Sequence, residues 1–159
     1  KMNLSCVCIA RRGDKDEKTW DSLVHYLKST AKADLVWAEE DLADREKFKE
    51  RQEEMKRSFL SSDPVLALNA VGGDSAGNLA RLLGQGGTMV TYGGMSMKPI
   101  VSATPHFIFK DLRMVGYWHS RWMTETPLPG KTIMVDDLVE AVLSDQIQCP
   151  PAEDFEFQD

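Results

Sequence analysis

The chain has 159 residues, of which 42% are hydrophobic, a size and composition that suit one domain with a buried core. Its 25 acidic residues outnumber its 19 basic residues, and the net charge of −6 argues against a nucleic-acid-binding protein, which normally presents a basic face. No apolar run approaches the roughly 20 residues of a membrane span. The three cysteines lack metal-ligand spacing and the three histidines are scattered, so we expect neither a metal site nor a disulfide framework.

Short apolar runs alternate with stretches of helical periodicity over the first half of the chain. Residues 4–10 and 33–38 are apolar and of strand length, which predicts two strands. Between them, apolar side chains recur at helical spacing over residues 18–32, which predicts a helix with one apolar face. The highly charged residues 41–60 carry only a thin apolar stripe, so they predict one or two exposed helices.

The alternation continues through the second half. A buried strand is predicted at residues 65–71, followed by a helix at residues 75–83 with Gly84 as its C-cap and a strand at residues 88–92. Beyond these we expect an irregular connection at residues 99–104, a helix from Pro105 to Leu112 and a strand at residues 113–119. A loop is predicted at residues 127–130 and a last helix at residues 134–143, which Cys149-Pro150-Pro151 ends. Alternating apolar strands and helices predict an α/β fold, a doubly wound, mainly parallel sheet with helices on both faces.

A glycine-flanked strand, GGTMVTYGGMS at residues 86–96, is the most informative stretch. Ligands of open α/β sheets bind just beyond the carboxyl ends of strands, and Gly93-Gly94 follows this strand directly. Glycines there let a flat ligand approach the main-chain amides without a Cβ in the way. A plain tight turn explains the same pair equally well.

Two further strand ends carry side chains suited to a nucleotide. Arg11-Arg12 follows the first predicted strand, where arginine pairs with the 2′-phosphate of NADP, although a solvated surface pair is the simpler explanation. Tyr117, Trp118 and His119 end the last predicted strand, where rings either flank a nicotinamide or acyl chain or cap the core. The run GGDSAG at residues 72–77 lacks the Lys-Ser/Thr of a phosphate-binding loop, so we assign it no phosphate.

Three motifs together resemble a known family. The runs LALNAVGG (residues 66–73) and GGTMVTYGGM (residues 86–95), and FKDLR with the following GYW (residues 109–118), are similar to those of mitochondrial trans-2-enoyl-CoA reductases. These enzymes belong to the zinc-free branch of the medium-chain dehydrogenase/reductase superfamily. The resemblance implies a Rossmann domain joined to a GroES-like catalytic domain, usually in a homodimer. It also implies hydride transfer from NADPH to the β-carbon of a 2-enoyl-CoA or acyl-carrier-protein thioester, in mitochondrial fatty-acid synthesis.

The resemblance also implies the roles of individual residues. Arg11, Arg12 and Gly13 would meet the 2′-phosphate and the adenosine ribose. The nicotinamide side would be lined by Tyr92, Gly93, Gly94, Met95, Tyr117, Trp118 and His119. No catalytic residue is expected in this chain. Three departures from the family stand out: Arg11-Arg12-Gly13 replaces two basic residues around an acidic one, the helix-ending glycine is missing near Ala31-Lys32, and His119 replaces an apolar residue.

The resemblance covers residues 4–151, and we assign residues 1–151 to a partial NADP-binding Rossmann domain, with residues 152–159 as an acidic tail. The family's first Rossmann strand with its Gly-rich turn, its last strand and its catalytic domain are not represented. We therefore expect a gap in the sheet between the strands at residues 4–10 and 65–71. We also expect the 159-residue chain alone to be inactive and to bind NADPH weakly. Two alternatives remain open, a quinone or enone reductase of the same superfamily and a non-catalytic scaffold that self-associates.

Overall fold

The computed structural model describes residues 4–59 and 63–147. The chain divides into two compact units, one of residues 5–120 and one that holds residues 121–147 together with Leu4. The assignment of residues 1–151 to one domain stays a prediction. The expected end at Cys149-Pro150-Pro151 and the acidic tail at residues 152–159 lie outside the described residues.

Two parallel strands open the larger unit. Strands β1 (Val7–Ala10) and β2 (Leu35–Ala38) pair with Val7 opposite Leu35, and helix α1 (Glu17–Ser29) connects them. Asp16 caps α1 by accepting a hydrogen bond of 2.7 Å from the backbone N–H of Thr19. The helix ends three residues before the predicted limit, and Lys32 beyond it adopts a left-handed backbone with φ 57°.

The charged stretch after β2 forms two helices, α2 (Glu39–Ala43) and α3 (Arg45–Ser58). Asp44 divides them because its extended backbone breaks the first helix, while its carboxylate accepts hydrogen bonds of 2.9 Å from the N–H groups of Glu46 and Lys47 in the second. The thin apolar stripe of this region packs into a core cluster, formed by Leu35, Trp37, Leu42, Phe48, Met55 and Leu82.

A second, three-stranded sheet follows in the same unit. Strands β3 (Leu66–Asn69), β4 (Thr88–Thr91) and β5 (Arg113–Gly116) pair in that order, all parallel. Helix α4 (Gly73–Leu82) joins β3 to β4, and helix α5 (Thr104–Lys110) precedes β5. A second core cluster lies under α4 and consists of Ala67, Ala76, Ala80, Leu83, Met89 and Leu112.

Strand β3 is buried on one face only. Ala67 and Asn69 are buried, whereas Leu66 and Leu68 on the opposite face are 54% and 63% exposed. The prediction of a strand buried throughout is therefore wrong at these leucines. Alternate side chains of a strand point to opposite faces, and α4 packs on the face that carries Ala67.

Helix α4 contacts the cores of both sheets. Its residue Leu82 belongs to the first cluster, whereas Ala76 and Ala80 belong to the second. The strands of the two sheets are not hydrogen-bonded to each other within the described residues, which confirms the expected gap between β1 and β3. Gly84 is not the C-cap of α4: the cap is Leu83 in an extended conformation.

The end of the last sheet and the smaller unit depart from prediction. Strand β5 ends at Gly116, and His119 is the first residue of helix α6 (His119–Glu125), so the strand predicted through His119 is too long. Helix α7 (Leu128–Leu143) begins six residues before the predicted helix, and the loop predicted at residues 127–130 is wrong. Pro129 is tolerated in the first helical turn because the N–H groups there have no helical partner.

Candidate functional site

The carboxyl end of the three-stranded sheet gathers two groups of predicted site residues. The backbone N–H of Tyr92 donates to the Asn69 carbonyl at 3.0 Å, and that of Tyr117 donates to the Thr91 carbonyl at 2.9 Å. Strand pairing thus continues one residue beyond each strand and aligns the two tyrosines. The side chains of Tyr92, Met95, Tyr117 and Trp118 are all exposed at this edge.

Gly93 and Gly94 differ in their surroundings. A Cβ on Gly93 would lie 3.0 Å from the Ala70 carbonyl oxygen, whereas a Cβ on Gly94 would meet no atom within 4 Å. Gly93 therefore packs closely against the turn after β3, and a side chain there would push against the Ala70 backbone. The open space at Gly94 is available to a ligand that approaches the backbone.

A hydrogen-bonded pair of rings lies at the same edge. The hydroxyl of Tyr117 and Nδ1 of His119 are 3.0 Å apart, and their ring centroids are separated by 6.2 Å. The structure therefore shows direct contact between two residues that the sequence analysis placed at one strand end. The chain turns from β5 into α6 between them, which brings the imidazole of His119 back to the tyrosine hydroxyl.

The remaining predicted residues, Arg11, Arg12 and Gly13, lie at the carboxyl end of the two-stranded sheet. They form an exposed turn after β1, in which Gly13 has φ 53°. The carboxylate of Glu40, directly after β2, accepts hydrogen bonds from the N–H of Gly13 at 2.8 Å and of Arg12 at 3.2 Å. Partial burial acts to raise the pKa of Glu40, but these bonds and the charge of Arg11 outweigh it and lower that pKa.

The side chain of Arg12 lies across a small polar cleft. Its guanidinium is 5.9 Å from the ring centroid of Trp20, within the range of a cation–π interaction. The cleft has a volume of about 340 Å³ and is lined by residues of both signs of charge, among them Glu40, Lys47 and Arg51. Arg12 therefore contacts α1, while Arg11 is exposed at the end of β1.

Ion pairs that line this cleft hold α3 against α2. The buried carboxylate of Asp41 is bound by the Arg51 guanidinium at 2.8 and 3.1 Å and by Lys47 at 3.2 Å. Burial alone would raise the pKa of Asp41, but these hydrogen bonds outweigh burial and lower it. Arg51 also binds Glu54 at 2.8 Å, and Glu54 accepts a hydrogen bond of 3.1 Å from the indole N–H of Trp37.

Two functionally placed residues were not singled out by the sequence. Glu40 holds the Arg12-Gly13 turn, and Asn69 is a buried polar side chain at the carboxyl end of β3. The available signals were the position of Glu40 just after a predicted strand and the polarity of Asn69 inside an apolar run. Neither signal reveals the hydrogen-bond partner, which is distant in sequence for Glu40.

Residues 4–59 and 63–147 contain neither a candidate metal site nor a candidate membrane-spanning helix. This part of the chain has no group of three or more histidine, cysteine, aspartate or glutamate side chains placed to hold a metal ion. None of its helices combines the length and apolarity needed to cross a membrane.

The chain is similar to known proteins in sequence and in structure. No protein-family model matches the chain. The human protein named enoyl-[acyl-carrier-protein] reductase, mitochondrial, is 36% identical to it over 146 residues, which is 91% of this chain and 37% of that protein. The chain thus spans a little over a third of the length of such curated relatives.

Solved structures agree with the sequence relatives. The mitochondrial 2-enoyl thioester reductase Etr1p/Etr2p heterodimer of Candida tropicalis superposes with a TM-score of 0.82 at 28% identity, over 95% of this chain and 39% of that chain. A complex of Etr1p with NADP and crotonyl-CoA superposes with a TM-score of 0.68 at 33% identity, over 78% of this chain and 32% of that one. The parallel α/β architecture and these similarities together show that the chain is similar, in sequence and in fold, to a little over a third of the length of the mitochondrial enoyl thioester reductases.

Proposed function

We propose that the protein to which this chain belongs is an NADPH-dependent reductase of trans-2-enoyl thioesters in mitochondrial fatty-acid synthesis. Two observations together support this proposal. The chain is similar to enoyl reductases, and Gly94, Tyr92 and Tyr117 form an exposed edge at the carboxyl ends of β4 and β5 that a ligand can reach. Ligands of open parallel sheets bind at such edges.

The side chains at the two sheet ends suit the parts of NADPH. Arg11 and Arg12 offer guanidinium donors to a 2′-phosphate, and the Glu40 carboxylate holds the turn that carries Arg12. The open space above Gly94 accommodates a flat ring against the backbone. When bound, the cofactor supplies the hydride.

The residues around the ring would orient and enclose it. Tyr92 to Met95 and Tyr117 to His119 would line the nicotinamide side, with the Tyr117–His119 hydrogen bond fixing one wall. We assign no proton-donating residue within the described part of this chain. The 159-residue polypeptide alone is therefore expected to lack reductase activity and to bind NADPH weakly. The substrate is a 2-enoyl-CoA or acyl-carrier-protein thioester, and the protein acts as a homodimer.

The experiment that tests this function is NADPH oxidation with a trans-2-enoyl-CoA. It compares the 159-residue chain with a chain extended through its upstream coding sequence, and a quinone is assayed in parallel. Activity on the thioester in the extended chain alone supports the proposal, and Arg11→Ala should then raise the KM for NADPH. Preference for the quinone, or inactivity of both chains, contradicts it. A non-catalytic scaffold would instead be inactive and larger than a monomer by light scattering.

A further inference from the structure

Asn69 is a buried side chain that makes three hydrogen bonds. It is 3% exposed at the last position of β3. Its Nδ2 donates to the hydroxyl of Thr91 at 3.1 Å, and its Oδ1 accepts from the backbone N–H groups of Val71 and Gly72, both at 3.1 Å. A buried amide is stable only when its polar atoms are paired, so this side chain has one favoured orientation.

These bonds tie the turn after β3 to the end of β4. Asn69 and Thr91 are opposite each other in the strand register, which brings the amide and the hydroxyl together. The turn then passes through left-handed backbone at Gly72 (φ 80°) and Gly73 (φ 58°), conformations that few other residues adopt. The two bonds to Oδ1 hold the entry to this turn in place.

The turn after β3 also supports the segment that follows β4 through backbone hydrogen bonds. The Ala70 carbonyl accepts from the N–H of Met95 at 3.0 Å, and the Val71 carbonyl accepts from the N–H of Ser96 at 2.8 Å. Farther along, the N–H of Gly73 donates to the Lys98 carbonyl at 3.2 Å. The backbone path of residues 93–98 is therefore set by the turn that Asn69 fixes.

We propose that Asn69 is a positioning residue for the cofactor site: through the turn at residues 70–73 it fixes the backbone of Gly93, Gly94 and Met95. This inference rests on the proposed function only in taking Gly93–Met95 as the nicotinamide wall. The positioning itself is a property of the chain without ligand. Asn69 touches the two strand ends, and it acts on the cofactor through them.

The first test measures amide hydrogen exchange in the 159-residue chain by NMR. In Asn69→Ala, we expect the amides of Met95 and Ser96 to exchange at least about fivefold faster relative to the amide of Met89, since the lost bonds free the turn. Phe48→Leu, in the other core cluster, is the control for general destabilisation and should leave that ratio unchanged. An unchanged ratio in Asn69→Ala overturns the proposal.

Substitutions of Thr91 keep the test decisive if Asn69→Ala does not fold. Thr91→Val is isosteric and removes only the acceptor of Nδ2, so we expect a smaller rise in exchange at Met95 and Ser96. Thr91→Ser keeps the hydroxyl, so the amides of Met95 and Ser96 should exchange at the rates of the parent chain. Equal rates in Thr91→Val and Thr91→Ser overturn the proposal.

The second test is NADPH titration of the upstream-extended protein by fluorescence. Asn69→Ala should weaken binding about tenfold, whereas Phe48→Leu and Thr91→Ser should bind as the parent does. Faster exchange with NADPH affinity within twofold of the parent overturns the link to the cofactor. If the parent itself binds no NADPH, the proposed function fails, and the exchange ratios alone decide the positioning role.

Discussion

The carboxylate of Glu40 accepts a hydrogen bond of 2.8 Å from the backbone N–H of Gly13, 27 residues earlier in the chain. A second bond of 3.2 Å comes from the N–H of Arg12. The first turn of α2 therefore holds the turn after β1. This turn carries the arginines assigned to the 2′-phosphate, and the Glu40 carboxylate holds its backbone.

Removal of this carboxylate should loosen the turn. Glu40→Ala is expected to destabilise the chain by about 1 kcal/mol, because both bonds are exposed to solvent. Glu40→Gln keeps a carbonyl acceptor for Gly13 and should cost less. Urea denaturation measures both, and an Ala variant as stable as the parent would show that the turn does not depend on Glu40.

The same pair predicts a pH dependence. The pKa of Glu40 is lowered in the folded chain, so the stability it contributes is present above the ordinary carboxyl pKa and is lost as pH falls through the lowered value. The difference in unfolding free energy between the parent and Glu40→Gln should therefore shrink as the solution is acidified. Denaturation at a series of pH values measures it. A difference that stays constant or grows on acidification would contradict a lowered pKa of Glu40 in the folded chain.

The buried carboxylate of Asp41 should matter more than surface ion pairs. Asp41→Asn leaves the Arg51 guanidinium with a weaker partner, and we expect the free energy of unfolding to fall by about 2 kcal/mol. The partial exposure of the arginine keeps this loss below that of a fully buried pair. Glu46→Gln breaks the exposed pair with Lys49 and serves as the control, at about 0.3 kcal/mol. Equal losses for the two variants in urea denaturation would refute the distinction.

The two glycines after β4 should respond differently to alanine. Gly93→Ala places a Cβ 3.0 Å from the Ala70 carbonyl oxygen, so a loss of about 1 kcal/mol is expected. Gly94→Ala meets no atom within 4 Å, and Gly94 lies outside the left-handed region, so stability should be unchanged. If a cofactor ring lies there, Gly94→Ala weakens NADPH binding in the extended protein. Thermal unfolding and NADPH titration separate the two effects, and a large loss of stability in Gly94→Ala would contradict the structure.

Lys32 occupies a backbone conformation that favours glycine. Its φ of 57° follows the end of α1, where the family carries a helix-ending glycine. Lys32→Gly removes this strain but makes the unfolded chain more flexible, and the balance should stabilise the chain by about 0.5 kcal/mol. Lys28→Gly, inside the last turn of α1, should instead destabilise it by about 1 kcal/mol. Thermal unfolding checks the opposite signs.

The order of strands and helices through β5 was predictable because local patterns carry it. Apolar runs at residues 33–38 and 88–92 became β2 and β4, and Asp16 capped α1 as an acidic residue at a helix start does. The glycine-flanked strand also placed Gly93-Gly94 at a carboxyl edge of the sheet, next to Tyr92. Cofactor contacts at these residues remain predictions, since hydrogen bonds within the chain do not test them.

The errors arose where local patterns are ambiguous. Pro129 and Gly130 read as a loop, yet they occupy the first turn of α7, where a missing N–H costs nothing. Strand β3 read as wholly buried, yet a strand's alternate residues face opposite ways, and which face is covered depends on the helix packed against it. That helix, α4, leaves Leu68 exposed.

The sequence by itself determined the α/β class, the order of the elements and the resemblance to the family, since these follow from periodicity and from contiguous motifs. Only the tertiary structure decided which groups meet. Glu40 reaches Gly13, 27 residues away, because β1 and β2 lie side by side, and His119 contacts the nearby Tyr117 because the chain turns from β5 into α6 between them. A linear pattern shows which side chains can form hydrogen bonds, but a hydrogen bond needs two groups within about 3 Å, and folding alone sets that distance.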